Sequence, residues 1–203
     1  HIEVTGSKQL PINRDWTLSF PKGWDTPEML KLPSIIPWSE LKEPAARAFS
    51  GTASYRSSIE FTEIQQNQRI VLDLGRVGDI ANIRINDQEV TTLWAPPFRA
   101  DITQYLQVGE NQIEIRVTNT WHNRLSYDAS LPKAKRKTWT FAGPKPNMPM
   151  EPAGLLGPVV LDIGTIVKIQ SLDIFIDKID LDLWRQCCGL LNTLSLSCCR
   201  GRV

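Results

Sequence analysis

Apolar and polar residues alternate along most of the chain in short runs, and turn-forming residues separate the runs. The period of two is clear in "SYRSSIEF" (54–61), "IANIRIN" (80–86) and "QIEIRVTN" (112–119). Successive side chains of an extended strand point to opposite faces, so this pattern predicts strands with one buried face. In the third run Ile113, Ile115 and Val117 are the predicted inward residues.

Turn signals between the runs complete the prediction of the fold class. Asn86 and Asp87 tolerate backbone conformations that β-branched residues resist, so they are predicted to join two antiparallel strands. Gly75 and Gly78 stand where a tight connection is expected. Only "WSELKEPAARAF" (38–49) has a helical composition, and a proline interrupts it. Many short strands with little helix predict an all-β fold, an antiparallel sandwich of the jelly-roll kind.

Three regions depart from the strand pattern and define the predicted organisation. Residues 1–50 are expected to form a lead-in strand and an irregular segment that covers the sandwich, with aromatic residues that pack rather than bind. Residues 51–178 form the predicted sandwich, and its proline-containing insert at 126–153 has a length typical of functional or mobile loops. Residues 179–203 contain all four cysteines and are expected to be an atypical tail, whose composition suits a terminal helix, read-through or an altered reading frame.

Charge and hydropathy exclude some classes of partner. The 203 residues carry 23 Lys and Arg against 22 Asp and Glu, so no global field favours nucleic acid or an anionic membrane. No run reaches the roughly 18 consecutive apolar residues of a membrane span. The basic run "KAKRK" (133–137) is expected to be a solvated surface. Neither a nucleic acid nor a membrane is therefore predicted as a partner.

The sequence predicts no cofactor. The adjacent cysteines at 187–188 and at 198–199 lack the two-residue spacing of a tetrahedral zinc site, and they are expected to be incidental, with a disulfide-linked hairpin or an oligomer contact as alternatives. Asp101 or Thr103 is expected to cap a short turn. Capping is favoured for Asp101 because one carboxylate falls short of the about 6 to 8 oxygens that calcium takes. A calcium or sugar ligand is the alternative role of Asp101, so a structural calcium ion stays open.

Four ordered segments carry a resemblance to a known family. They are "FSGTASYRSSIEF", "VLDLGRVGDIANIRINDQEV", "WAPPFRADITQYLQVGENQIEIRVTNTWHNRL" and "EPAGLLGPVVL". These segments resemble the galactose-binding-like jelly-roll domain of glycoside hydrolases, most strongly the β-sandwich near the C-terminus of family 106 α-L-rhamnosidases. That domain is itself similar to the sugar-binding domain of family 2 β-galactosidases and β-glucuronidases. The resemblance covers residues 10–170.

The stretch "TNTWHNRLSYD" (118–128) is the candidate site. Val117 ends its predicted strand, so the following residues are expected to project as a loop onto the rim of the sandwich, where binding residues are common. In family 2 enzymes this loop carries a tryptophan motif whose polar residue reaches the active site of the neighbouring barrel. By that resemblance Trp121 matches the tryptophan, and Asn123 stands where some β-galactosidases have an acidic residue. Rhamnosidase-like domains often continue from "NRL" with a small residue, Gly and Asp, whereas this chain departs from that pattern with "SYD".

The predicted carbohydrate-binding residues are Trp121, His122, Asn123, Arg124 and Asp128. An indole can stack on a sugar face, and amide and guanidinium groups offer directional donors to hydroxyls or carboxylates. Other roles stay open for them. Trp121 equally suits packing under a loop, His122 suits a hydrogen-bonded surface position, and Asn123 and Arg124 equally suit holding the long insert in place.

The chain by itself is not expected to be an enzyme. Glycoside hydrolysis requires two carboxylates about 5 to 5.5 Å or about 6.5 to 9.5 Å apart, and the sequence identifies no such pair, because Glu60 and Glu114 are predicted to face outward. The expected function is a non-catalytic carbohydrate-associated domain of a glycosidase resembling an α-L-rhamnosidase. Its expected partners are an oligosaccharide or polysaccharide and the parent's catalytic barrel, and the resemblance implies a secreted or periplasmic location. An autonomous carbohydrate-binding module and a purely structural spacer are the alternatives.

Overall fold

The computed structural model describes residues 2–13, 15–146 and 148–168, and antiparallel strands dominate this part of the chain. The predicted all-β antiparallel sandwich is confirmed. Short 3-10 turns lie at Trp38–Glu40, Thr103–Tyr105 and Lys133–Lys135. The other elements are β1 (Ile2–Pro11), β2 (Trp16–Ser19), β3 (Met29–Leu32), α1 (Pro44–Arg47), β4 (Thr52–Phe61), β5 (Gln68–Asp73), β6 (Arg76–Val77), β7 (Ile80–Ile85), β8 (Gln88–Leu93), β9 (Arg99–Asp101), β10 (Gly109–Thr118), α2 (His122–Ser130), β11 (Leu155–Gly157) and β12 (Val160–Lys168).

Two sheets enclose the hydrophobic core. The smaller has the strand order β1-β12-β5-β9, the larger has the order β3-β2-β4-β10-β7-β8, and β6 pairs with β11 in a separate ribbon. The predicted inward residues of β10, Ile113, Ile115 and Val117, have no exposed surface. They share one core with Ile70 and Leu72 of the opposite sheet. The alternation in the sequence therefore predicted the buried faces correctly, because a strand buries every second side chain.

The predicted hairpin and the predicted tight connection are both confirmed. Asn86 and Asp87 join β7 to β8 with φ values of 49° and 61°, the left-handed pair that a two-residue hairpin favours. Gly75 has a φ of 63°, and a Cβ placed on it would lie 2.5 Å from the carbonyl oxygen of Gly157. Glycine is required at this position both by the backbone conformation and by the contact with the β6–β11 ribbon.

The first fifty residues contribute more to the sheets than the sequence pattern indicated. Beyond the lead-in strand β1, which pairs with β12, the strands β2 and β3 extend the larger sheet. Trp16 and Trp38 are buried, and their indole N–H groups donate to the carbonyl oxygens of Ile12 (2.8 Å) and Phe49 (3.1 Å). The expected packing role of these aromatic residues is confirmed, because satisfied N–H groups let the indoles lie in the core.

Some predictions fall outside the described residues. The predicted tail at 179–203, its four cysteines and the end of the predicted sandwich after residue 168 are among them. Within the described residues, no helix has the length and apolar character needed to cross a membrane.

Candidate functional site

The chain leaves β10 through an anchored turn. The Asn119 side chain accepts a hydrogen bond from the backbone N–H of Gly51 (2.9 Å) and donates to the carbonyl oxygen of Phe49 (3.2 Å). The next backbone N–H, that of Thr120, donates to Asp79 Oδ2 at 2.9 Å. These bonds fix the position and direction in which the candidate stretch begins.

The stretch continues as a helix, so the predicted rim loop is wrong. Residues His122–Ser130 form α2, and Trp121 occupies the N-cap position without a side-chain capping bond. No glycine or proline between residues 119 and 130 interrupts the helix. The backbone N–H of Arg124, one of the donors left free in a first helical turn, donates to Ser50 Oγ at 3.2 Å.

A buried ion pair lies on the inner face of α2. Arg124 and Asp128 are four residues apart, and each has a side chain that is 1% exposed. Arg124 Nε donates to Asp128 Oδ2 at 3.1 Å, and Nη2 lies 2.9 Å from Oδ1. The guanidinium carbon also lies 5.3 Å from the Trp24 ring centroid and 5.4 Å from that of Tyr127. Tyr127 belongs to the same helix, so the contact with Trp24 is the one that joins Arg124 to another part of the domain.

Asp128 also holds the insert. Its Oδ2 accepts hydrogen bonds from the backbone N–H groups of Lys137 (3.1 Å) and Thr138 (2.7 Å) and from Thr138 Oγ1 (2.7 Å). Burial acts to raise the pKa of Asp128, but the hydrogen bonds from Thr138 and Arg124 and the charge of Arg124 outweigh it, so the pKa lies below its ordinary value. Asp128 is therefore a charged anchor for residues 137–138.

Asn123 fixes the other end of the insert. Its Nδ2 donates to the carbonyl oxygen of Glu151 at 2.8 Å, and its Oδ1 accepts from the backbone N–H of Glu151 at 2.8 Å. Asn123, Arg124 and Asp128 are each 1% exposed, so the expectation that they project from the rim is wrong. Their contacts match the alternative role of holding the insert, which for Asn123 and Arg124 was already open from the sequence. The reason is that the helix turns these side chains inward.

Two of the predicted site residues reach the surface. Trp121 is 49% exposed, and its ring lies 5.7 Å from that of Trp24, centroid to centroid. The His122 side chain is 24% exposed, and its Nδ1 lies 3.7 Å from Glu151 Oε1, on a side chain that is 57% exposed. We use the name rim surface for the set formed by Trp24, Trp121, His122 and Glu151. Trp24 and Glu151 lie far from Trp121 in sequence, so only the fold brings them to it.

Asp101 lies one position before the N-cap residue Ile102 and binds the first residue of the Thr103–Tyr105 turn. Its Oδ1 accepts hydrogen bonds from Thr103 N (3.1 Å) and Thr103 Oγ1 (2.6 Å), and its Oδ2 accepts from Arg69 Nε (2.8 Å). Burial acts to raise the pKa of Asp101, but the hydrogen bonds from Thr103 and Arg69 lower it overall. In the part of the chain that the structure describes, no group of three or more His, Cys, Asp or Glu residues could hold a metal ion.

The two glutamates singled out in the sequence lie at different positions of the β4–β10 ladder. Arg56 lies opposite Glu114, four positions along β4 from Glu60. At about 3.4 Å per residue along a strand and about 4.8 Å between strands, the backbones of Glu60 and Glu114 lie about 14 Å apart. Glu60 is exposed as expected. The Glu114 side chain is only 16% exposed, because two arginines cover it. Its Oε1 lies 2.9 Å from Arg56 Nη2, and its Oε2 lies 3.7 Å from Arg84 Nε.

Comparison with known proteins agrees with this architecture. Residues 37–150, more than half of the chain, match the family model described as glycosyl hydrolase 2 galactose-binding domain-like. The chain is 38% identical over 119 residues to a putative β-glucuronidase from Formosa agariphila, covering 58% of this chain and 10% of that protein.

Solved structures give the same architecture. A rhamnosidase from Novosphingobium sp. PP1Y superposes with a TM-score of 0.72 and 34% identity, over 78% of this chain and 15% of that one. A β-glucuronidase from an uncultured Clostridium sp. superposes with a TM-score of 0.58 over 78% of this chain and 29% of that one, and at 19% identity this likeness concerns the fold alone. The chain therefore spans only a small part of the proteins it resembles. It belongs to the galactose-binding-like domain family of family 2 glycosyl hydrolases.

Proposed function

We propose that this chain is a non-catalytic, carbohydrate-associated domain of a larger glycoside hydrolase, and that its rim surface shapes part of a sugar site completed by another domain. The observation that carries the proposal is the half-exposed indole of Trp121, which is 49% exposed and packed against Trp24 beside His122 and Glu151. An exposed aromatic ring with polar neighbours is a common arrangement in sugar and small-molecule sites.

The scaffold below the rim surface supports this proposal. Asn123, Arg124 and Asp128 are buried and bonded, so they act in the proposal as positioning residues and not as sugar ligands. A rigid base lowers the entropy lost when a ligand orders the groups that bind it. Among the predicted site residues, Trp121 and His122 are the proposed sugar contacts.

The parent class is part of the proposal. A rhamnosidase and a putative β-glucuronidase are among the relatives, so the proposed parent is a glycosidase of one of these two kinds. Among the solved structures, the rhamnosidase kind is supported by the higher TM-score and identity, 0.72 and 34% against 0.58 and 19%. The proposed partners are an oligosaccharide or polysaccharide and the parent's catalytic domain. Because such substrates are polymers outside the cell, we propose a secreted or periplasmic location.

Kinetics of the full-length enzyme that contains this domain test the proposal. Trp121→Ala is expected to raise the KM or lower the kcat by about tenfold, because a stacked ring contributes on the order of one power of ten to binding. Trp94→Ala is the matched control, since Trp94 is 77% exposed and lies outside the rim surface.

The spacer alternative has a distinct outcome. It is favoured by the burial of three of the five predicted binding residues. If Trp121→Ala leaves both kinetic constants at the values of the Trp94→Ala control, the rim surface does not line the substrate site, which is the result that a spacer requires.

A further inference from the structure

A groove lies between α2 and the following part of the insert. It has a volume of about 290 Å³, and its lining includes Leu125 and Ala129 of α2 and residues of the 136–145 segment. Trp139 and Phe141 line it and are 76% and 95% exposed. Rings this exposed contribute little to the core, so their placement around a concavity requires another explanation.

All the charged side chains that line this groove are positively charged. Arg136 and Lys145 contribute cations, and Thr138 and Thr140 contribute hydroxyl groups. None of its lining residues, all in the described part of the chain, is an aspartate or glutamate. The chain as a whole is nearly neutral, at a formal charge of +1, so this groove is a local concentration of positive charge.

The cation nearest the helix is held in place before any ligand arrives. Arg136 Nε donates to the carbonyl oxygen of Leu131 at 2.8 Å, and Nη2 donates to that of Ala129 at 3.0 Å. A guanidinium has five N–H donors, so among the described contacts three remain for another acceptor. The neighbouring residues 137 and 138 are fixed by Asp128, so the groove wall is anchored to the buried ion pair.

We propose that this groove binds one anionic sugar unit of an oligosaccharide, a pyranose that carries a carboxylate or a sulfate group. The indole of Trp139 would stack on the C–H face of the ring, and Arg136 and Lys145 would hold the anionic group by charge-assisted hydrogen bonds. The volume of about 290 Å³ lies just below the about 300 to 1,000 Å³ of small-molecule sites, which suits one or two sugar units. The inference rests on the proposed association with carbohydrate, but it uses no residue of the rim surface.

Calorimetric titration of the 203-residue chain tests this inference. The probes are digalacturonate, sulfated galactobiose and neutral galactobiose, which share the pyranose frame and differ in charge. We expect saturable binding of at least one anionic disaccharide and about tenfold weaker binding of the neutral one, because a charge-assisted hydrogen bond discriminates by roughly that factor. The digalacturonate and sulfate arms distinguish the two anionic groups.

Matched variants locate the binding. Lys145→Ala and Trp139→Ala are each expected to weaken it about tenfold. Two control variants are expected to bind as the unchanged chain does. Lys133→Ala removes an exposed lysine of the basic run 133–137 that does not line the groove. Trp94→Ala removes an indole that is 77% exposed, nearly as Trp139 is, and that also lies outside the groove. All four positions are exposed, so these variants are expected to fold normally.

Three outcomes would overturn the inference. Equal affinity for neutral galactobiose would remove the anionic preference, and an equal loss with Lys133→Ala would show diffuse attraction instead of a site. Absence of binding at about 10 mM of either anionic disaccharide would leave the groove as a contact for another protein surface. Trp121→Ala must leave groove binding unchanged, so failure here and failure of the rim-surface proposal are separate results.

Discussion

Replacing Asp128 by alanine removes the group on which α2 and the insert converge. One oxygen, Oδ2, accepts hydrogen bonds from Arg124 Nε, from two backbone N–H groups and from Thr138 Oγ1. The substitution leaves the Arg124 guanidinium buried without its counter-charge, in addition to the N–H groups of residues 137 and 138. We therefore expect a large loss of stability.

The magnitude follows from the burial of the pair. Both side chains are 1% exposed, and removing one partner of a buried pair costs about 3 to 5 kcal/mol, because the remaining charge is unpaired and out of water. This is a large fraction of the about 5 to 15 kcal/mol that stabilises a typical domain. Glu28→Ala is the control, since its ion pair with Lys22 spans 3.5 Å between side chains that are 72% and 85% exposed. A pair of this kind contributes about 0 to 1 kcal/mol.

Urea unfolding followed by tryptophan fluorescence measures both changes. Asp128→Asn separates charge from hydrogen bonding, because an amide oxygen still accepts from the Thr138 N–H, and an intermediate cost is expected. If Asp128→Ala costs no more than Glu28→Ala, the buried pair does not anchor the insert and the structural role assigned to Asp128 is wrong.

The pH dependence of stability gives an independent check. The folded-state pKa of Asp128 lies below its ordinary value of 3.8, so near that pH the unfolded chain binds more protons than the folded chain. The stabilisation is therefore fully present above the ordinary value and is lost as the pH falls through the folded-state pKa. The stability difference between the unchanged chain and Asp128→Asn should be constant above about pH 5 and shrink below about pH 4. A difference that grows on acidification would contradict this reasoning.

Three further substitutions test other parts of the structure, each by urea unfolding. Gly75→Ala should lower the free energy of unfolding by at least about 2 kcal/mol, because it adds a backbone clash to a strained φ of 63°. The control Gly6→Ala has a φ of 64° but no atom within 4 Å of the added Cβ, so it should lower this energy by only about 1 to 2 kcal/mol. Equal losses would exclude the clash. Tyr55→Phe should lower the free energy of unfolding by about 1 to 3 kcal/mol, since the Tyr55 hydroxyl accepts a hydrogen bond from the backbone N–H of the buried Leu155 at 3.2 Å. An unchanged stability would mean that water replaces the lost hydroxyl. Asn123→Ala should cost about 2 kcal/mol and speed amide exchange at the end of the insert, and unchanged exchange would refute its anchoring role.

Much of the fold was predictable from local patterns. The alternation in β10 identified Ile113, Ile115 and Val117 as buried, and Asn86 with Asp87 marked the hairpin. Both signals are local, because a strand places every second side chain on one face and a two-residue turn restricts its own backbone. The strands within the first fifty residues were harder to predict. β2 and β3 have only four residues each, and they are defined by the pairing of β2 with β3 on one side and with β4 on the other.

The candidate site was only partly predictable. The stretch at 118–128 was found because it concentrates polar and aromatic residues, but it was predicted as a loop, whereas residues 122–128 lie in α2. A nine-residue helix without a side-chain cap is marginal in isolation, so tertiary contacts, such as those of Arg124 with Trp24 and of Asn123 with Glu151, decide it. Sequence spacing alone does not reveal such contacts.

By itself, the sequence determined the all-β class, the buried face of the central strands, the hairpin and the family, because each depends on patterns within a few residues or on ordered matching segments. Only the tertiary structure decided which polar residues of the candidate stretch face water. It turned Asn123, Arg124 and Asp128 inward and left Trp121 beside Trp24, nearly a hundred residues away in the chain. The physical reason is that a charged or amide group is buried only where partners are supplied, and distant residues supply them for Asn123, from Glu151, and for Asp128, from residues 137–138.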